Sequence, residues 1–314
     1  LNIVVVGAGA LGVYFGARLE EAGEKVTFLV RENRASQIEK HGLKVNSTKG
    51  NYTFEDPNVV KKVEEIDEVD LVFLSVKGYH LEGTFHSLKE LRKKGAYILP
   101  VLNGIEHIPI LQNELGKDFV LGGLSFIMAT LNEKGHVEHN SDFHQLVFGS
   151  LEATQTSICH QLKEIASKAN IQVEASDDIL RELWKKYMFI NAFSGITTAT
   201  NLPIGPIRSK QETFRIAEMM LQEMKLIANA HNVNVSEEDV EDAKSKLMSL
   251  PDKATSSMHQ DRRKGYVLEL DHLHGGAIRL AKAMGVEVPY MESIYGIIKP
   301  FENNQPNFTK KGVS

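Results

Sequence analysis

The run Asn2-Ile3-Val4-Val5-Val6-Gly7-Ala8-Gly9-Ala10-Leu11-Gly12 constrains this chain more than any other stretch. A β-branched apolar run leads into Gly-x-Gly-x-x-Gly, and Val13 to Ala22 then reads as a helix. Strand, tight turn and helix in that order form the unit in which three glycines hold a dinucleotide pyrophosphate. Gly7 lets the chain turn at the strand end, and Gly9 lets the backbone approach phosphate with no Cβ in the way. Gly12 lets the helix pack closely on the strand. The helix start adds unpaired N–H groups and a positive dipole end, so Gly7, Ala8, Gly9, Ala10, Leu11 and Gly12 are the candidate cofactor cradle. A plain βα turn is the alternative, and the position directly after an apolar strand counts against it.

The second strand, Lys25 to Val30, ends in Arg31-Glu32-Asn33-Arg34. A unit that takes NAD usually places an acid here, on the ribose 2′-OH; a guanidinium suits a 2′-phosphate by charge and by its fork of donors. The reading is therefore NADP(H), with Arg31 the first candidate and Arg34 the second. Glu32 argues for a bare ribose, and solvated loop charges are the remaining alternative.

Ala35 to His41 reads as a short helix, and Leu43–Val45 and Tyr52–Phe54 as a small hairpin about a turn at Ser47 to Asn51. Further strands at Asp70–Val76 and Ala96–Leu102 are followed by helices at about Leu81–Arg92 and up to Leu115. Strands alternating with helices at this spacing predict an α/β fold with a parallel, doubly wound sheet. Ligands of such a sheet lie outside the carboxyl ends of its strands. Gly7, Arg31, Lys77 and Asn103 all fall at such ends, so Lys77 and Asn103 join the cofactor candidates. Taken singly, Lys77 also reads as a solvated loop lysine and Asn103-Gly104 as a turn.

From Val120 the pattern changes. Leu124–Leu131, Val137–His139 and Gln145–Phe148 read as antiparallel strands finishing the sheet, with His136, His139 and His144 as surface or strand residues rather than metal ligands. A helix over Thr156–Ala169 and a short strand over Ile171–Glu174 follow. A length of 314 residues suits two domains. The boundary is placed near Ser176, giving a dinucleotide domain over 1–175 and an all-helical domain over 176–314. The expected helices there are Asp178–Thr198, Ser209–Ala230, Ser236–Ser249, Ser257–Met284 interrupted near Gly265, and one from Pro289, before a tail from Asn303 expected to fray.

A net charge of −5 argues for neither nucleic acid nor an anionic membrane as partner, and no apolar run reaches the roughly 18 residues of a membrane span. The chain enters its first strand at once, which in this reading leaves no room for a signal peptide. With Cys159 alone, expected as a buried inert thiol, no intramolecular disulfide or cysteine metal cluster forms, and the expected compartment is the cytoplasm.

A dinucleotide domain with a helical partner also needs a proton donor and a substrate grip near the nicotinamide. Lys186 sits in the largely apolar run Leu183–Ser194, where desolvation would lower its pKa toward a value useful for acid catalysis. At about 100° per residue, Ile190 and Ser194 share its broad face and Asn191 points away. From this stretch alone the better reading is a lysine snorkelling to water. Ser257 with Gln260 fits a capping box, or Ser257 bonds substrate; Glu269 is a surface carboxylate, or the partner that tunes Lys186.

Taken together, Gly7-x-Gly9-x-x-Gly12, Arg31, Lys77, Asn103-Gly104, Trp184-x-Lys186, Ser256-Ser257-Met258-x-x-Asp261, Glu269-Leu270-Asp271 and Gly285-Val286-x-x-Pro289 resemble the ketopantoate reductase (2-dehydropantoate 2-reductase) family over nearly the full length. The resemblance implies a Rossmann domain plus a helical domain like that of 6-phosphogluconate dehydrogenase, with the active site between them. It implies NADPH as cofactor, a small 2-oxo acid (ketopantoate first) as substrate, and a place in pantothenate synthesis. Lys186 becomes the general acid and Glu269 its partner. Asn103 and Ser257 bind substrate or position the nicotinamide, while Ser194 and Asp261 complete the substrate set and Lys77 assists. The family often has asparagines four and eight residues after the lysine; here Ile190 and Ser194 stand there. That departure keeps open a reductase of a different 2-oxo acid; from another class, a non-catalytic NADP(H)-binding sensor whose helical domain contacts a protein partner is the second alternative. A homodimer is also left open.

Overall fold

The computed structural model describes residues 1–303, so all but the first residue of the tail expected to fray lies outside the described residues. The chain divides into two compact units, Leu1–Leu180 and the residues from Arg181 onward. In the first, β1 (Asn2–Val6), α1 (Ala10–Glu21), β2 (Lys25–Leu29), α2 (Glu32–His41), β3 (Lys44–Ser47), β4 (Tyr52–Thr53) and β5 (Asn58–Val60) come first. Then follow β6 (Leu71–Leu74), α3 (Phe85–Lys93), β7 (Tyr97–Pro100), α4 (His107–Leu115), β8 (Gly122–Leu131), β9 (Val137–Gly149), α5 (Thr156–Ala166) and β10 (Gln172–Ala175).

The first sheet is parallel throughout, in the order β5-β2-β1-β6-β7. Side chains alternate across a strand, and β1 is buried on both faces. Ile3 and Val5 pack with Val13 and Phe15 of α1 and with Leu146 and Phe148 of β9. Val4 and Val6 pack with Leu88 and Leu91 of α3 and Leu111 and Leu115 of α4. This is why β1 reads as an unbroken apolar run rather than an alternating one.

One expectation fails here. The strands after Val120 do not finish that sheet but build a second one, β10-β9-β3-β4, with β8 antiparallel to β9. Only a single bridge, Ile98 to Val120, touches β7. Besides β8, β9 pairs in parallel with β10, the next strand after α5, and with β3, more than eighty residues earlier in the chain; no local pattern announces the β3 pairing. The start of β8 also lies tight on the first sheet, since a Cβ at Gly123 would come within 2.5 Å of Leu99. The β3–β4 hairpin is present. His139 and His144 are strand residues and His136 stands just before β9, but none is at the surface. His136, His139 and His144 are all buried and bonded, His144 to the Tyr14 hydroxyl at 3.2 Å and His139 to Ser47 at 2.8 Å. Cys159 is buried, and burial pushes its thiol pKa up.

The second unit is helical: α6 (Ile179–Thr200, its first two residues in the first unit), α7 (Ile204–Arg208), α8 (Gln211–Ala230), α9 (Glu237–Ser249), α10 (Ser257–Lys264), α11 (Gly276–Ala283) and α12 (Pro289–Ile298). The helix expected over Ser209–Ala230 is α8, and the short α7 before it was not expected. Gly265 closes α10 in the left-handed conformation (φ 73°), and the chain enters α11 only through a π-helical turn, Asp271–Gly275. Glu223 of α8 accepts the first backbone N–H groups of α12, those of Tyr290 and Met291, at 2.8 Å each. Among the described residues no helix is long and apolar enough to cross a membrane.

Candidate active site

In the first unit, β1 adjoins β2 on one side and β6 on the other, so the chain reverses direction across the sheet at the β1/β6 boundary. Such a switch point opens a crevice at the carboxyl ends of the strands. The glycines stand there. Gly7 has φ 102°, a left-handed backbone that favours glycine, and its carbonyl accepts the Ser75 hydroxyl from the end of β6 at 2.8 Å. A Cβ at Gly12 would lie 2.2 Å from the Gly7 oxygen and 2.4 Å from Ser75 Oγ. Around Gly9, by contrast, a Cβ would meet nothing within 4 Å. The first and third glycines close the turn, and the second leaves room for a ligand. Helix α1 starts at Ala10, earlier than expected, with Gly9 as its cap and no acid in its first turn. Ala8, Ala10 and Leu11 complete this positive helix end, and the cradle fits a dinucleotide pyrophosphate.

Arg31 is exposed at the end of β2, caps α2, and lies alongside Gly83, whose Cβ would sit 3.5 Å from the guanidinium. Arg34 differs. Its guanidinium donates to the Ala8 carbonyl and the Gly135 carbonyl, each at 2.9 Å, and to Gln37 at 2.5 Å. It braces the cradle from behind, and its donors are taken by the protein rather than offered to a phosphate. Glu32 pairs with Lys61 at 3.1 Å. Lys77 and Asn103 follow β6 and β7 at their carboxyl ends, both half-buried.

In the second unit, Lys186 does not snorkel. It is 9% exposed, on a helix buried by its neighbours on nearly every side. Removal from water pushes its ammonium down from 10.5 to about 8, and the nearby Glu269 carboxylate works against that by favouring the charged form. Glu269 is itself 6% exposed, not a surface carboxylate, and sits immediately before Leu270 and the π turn. A buried lysine with a buried carboxylate in reach of its charge can hold a proton near neutral pH and release it to a stronger base.

The capping box expected at Ser257 is not there. Ser256 caps α10, accepting the His259 N–H at 3.1 Å and meeting the Thr197 hydroxyl of α6 at 3.0 Å. Ser257 is the first residue of α10 and exposed, and Asp261 is half-buried one turn on. Thr197 lies eleven residues beyond Lys186, about 16 Å along the helix at 1.5 Å per residue. Ser194 is buried on α6. Sequence reasoning missed Ser75, Tyr187 and His274. Ser75 stands two residues before Lys77, at a strand end beside the glycines; Tyr187 and His274 gave no signal, because their bonds join residues 86 and 83 positions apart. Among the described residues no group of three or more His, Cys, Asp or Glu is placed to hold a metal ion.

A dinucleotide cradle on a doubly wound sheet, in one chain with a buried lysine on a helix and a buried glutamate at the foot of another helical segment, defines an oxidoreductase. Comparison gives the family. The model of the ketopantoate reductase PanE/ApbA domain matches residues 3–153, and that of its C-terminal domain matches residues 178–302. The chain belongs to the ketopantoate reductase family. It is 35% identical to the uncharacterized oxidoreductase YkpB of Bacillus subtilis, over 96% of this chain and 99% of that one. The crystal structure of 2-dehydropantoate 2-reductase from Geobacter metallireducens superposes with a TM-score of 0.87 at 26% identity, covering 96% of this chain and 99% of that one. The ternary structure of D-mandelate dehydrogenase with NADH and anilino(oxo)acetate shares the fold, with a TM-score of 0.87 at 22% identity and coverage of 96% and 99%.

Proposed function

We propose that the protein reduces the ketone of a small 2-oxo acid with NADPH, and that ketopantoate, reduced to pantoate for pantothenate and coenzyme A synthesis, is its first-choice substrate. The observation that carries this reading is Lys186, buried beside Glu269 and poised at about 8. A purely binding protein has no use for a proton donor kept at such a cost. NADPH, when bound, supplies the hydride. The residues Gly7, Ala8, Gly9, Ala10, Leu11 and Gly12 would hold its pyrophosphate, Arg31 its 2′-phosphate, and Lys77 and Asn103 its nicotinamide half.

The chain's own residues handle the proton. As the substrate oxygen gains negative charge, Lys186 Nζ donates to it, and the cost of an alkoxide in a dry site falls away. Glu269 keeps Lys186 protonated until that moment. Asn103, Ser257, Asp261 and Ser194 would orient the acid and its substituents. Turnover of NADPH by purified protein with ketopantoate tests the reading, with NADH in parallel. Rapid oxidation preferring NADPH supports both substrate and cofactor. Tight NADPH binding with no turnover of any 2-oxo acid sinks the enzyme reading in favour of a sensor.

A second reading rests on a specific observation. Within one to two turns of Lys186, α6 presents Phe189, Ile190 and Phe193, all only partly buried, with the two rings 5.8 Å apart. A small substrate touching Lys186 reaches these apolar groups before Ser194. An oxo acid with an apolar substituent suits them better than one with a hydroxyl, which would lack a partner at Ile190. Comparing kcat/KM for ketopantoate with that for branched and aromatic 2-oxo acids decides between the two.

A further inference from the structure

The turn that follows Glu269 is unusual. The Gly276 N–H bonds the Asp271 carbonyl five residues back, so the helix takes in one extra residue before α11 begins. Such turns are rare and need outside support, and they recur at functional sites. The extra residue has a geometric effect. Glu269 stands just before this helical segment, its carbonyl accepting the Leu273 N–H at 2.9 Å. The extra residue therefore shifts the register between the start of the segment, where Glu269 stands, and the buried Ala277 and Ala281 of α11 by about 100°.

Two hydrogen bonds fasten this turn to the helix that carries Lys186. The Tyr187 hydroxyl donates to the Leu273 carbonyl. His274 Nε2 lies 3.0 Å from the Asn191 carbonyl, which can only accept, so Nε2 carries the proton. Asn191 in turn donates through Nδ2 to the Tyr187 carbonyl at 3.1 Å. The imidazole fits against α6 because Gly195 has no side chain: a Cβ there would lie 2.7 Å from His274 Nε2. The fasteners leave α6 one and five residues after Lys186 and land four and five residues after Glu269.

We propose that Tyr187, His274 and Gly195 are positioning residues that hold the π turn in register with α6, and thereby set how closely Glu269 approaches Lys186. The proposal rests on the reading of Lys186 as the proton donor. Charged groups close by on both segments are themselves paired. Burial pushes His274 down to about 4, so it stays a neutral donor throughout the working range. On α6 itself, Lys185 pairs with Glu182 and Asp239, and Arg181 binds Asp239 through both carboxylate oxygens. On the facing segment Asp271 pairs with Arg279 at 3.1 Å. Glu269 is the carboxylate that acts on Lys186.

The test compares the full-length protein with Tyr187→Phe, His274→Leu and His274→Gln. Two readouts are followed: the alkaline limb of kcat for 2-oxo acid reduction, and the 13C titration of the Lys186 ε-carbon, assigned with Lys186→Arg. Loosening Glu269 leaves desolvation less opposed, so Tyr187→Phe and His274→Leu should lower the midpoint by about half a pH unit or more. The limb of kcat should move with it, while the Kd for NADPH stays unchanged. His274→Gln, whose amide can donate to the Asn191 carbonyl, should recover most of the loss. A folded Tyr187→Phe with an unmoved midpoint overturns the proposal, and this variant decides alone if the His274 variants do not fold. The carbon titration needs no turnover. If it moves while no oxo acid is reduced, the positioning stands and the enzyme reading fails; if turnover is present and the midpoint fixed, the reverse holds.

Discussion

Replacing Lys186 with methionine should abolish turnover and change stability in a way that depends on pH. Methionine matches the length of the buried stem without the charge. In the native protein the lysine is pushed from 10.5 to about 8. At about 1.4 kcal/mol per pH unit, that displacement is worth about 3 kcal/mol. The sign follows from linkage: between pH 8 and 10.5 the unfolded chain binds more protons at this site than the folded one, so stability rises with pH across that window. Below pH 8 both states hold the proton and the penalty is constant. The wild type should therefore gain about 3 kcal/mol on Lys186→Met between pH 8 and 10.5, and nothing between pH 7 and 8. The unpaired Glu269 left in the variant changes the offset between the curves, so the quantity read is the rise of the wild type above pH 8. Urea unfolding followed by fluorescence of Trp184, the only tryptophan and buried two residues away, reports on the second unit. Parallel curves for the two proteins from pH 7 to 10.5 would refute the claim that Lys186 is buried as an ammonium.

Three further outcomes separate binding from bracing. Arg31→Ala should weaken NADPH roughly 10-fold or more by loss of charge-assisted bonds, and leave NADH unchanged, by isothermal titration. Arg34→Ala should weaken both dinucleotides alike and lower the melting temperature, since it frees the Ala8 and Gly135 carbonyls rather than a phosphate. Ser256→Ala should cost about 1 kcal/mol of stability through the lost cap of α10, whereas Ser257→Ala should leave the melting curve unmoved and raise the KM for substrate.

The first sheet was legible because its evidence is local. A strand buried on both faces writes an apolar run, Gly7 and Gly12 are needed wherever turn and helix press together, and strand ends mark where a ligand lies. The second sheet was not legible. Its centre is β9, whose parallel partners β3 and β10 come from either side of it in the chain. A parallel pairing carries no turn signal, so β8 and β9 read as a continuation of the nearest sheet. Arg34 misled for a related reason. Its sequence context offers it to a phosphate, but Gly135, about a hundred residues on, takes the donor.

Lys186 marks the sharper limit. An apolar helix with a lysine reads as amphipathic, and a lysine on an amphipathic helix reaches water. What the pattern understates is how few exposed positions α6 has: between Leu183 and Thr198 only Lys185, Phe189, Ile190 and Phe193 escape burial. A helix enclosed on nearly every side turns its polar side chains back on its own backbone, Thr197 bonding the Phe193 carbonyl at 2.6 Å and Asn191 the Tyr187 carbonyl. Lysine cannot be satisfied that way, because an ammonium needs a counter-charge as well as an acceptor. The carboxylate comes from Glu269, eighty-three residues later, through a turn with one residue too many for an α-helix. Burial of the lysine and distortion of the segment facing it are thus one arrangement, and neither is written near the other in the chain.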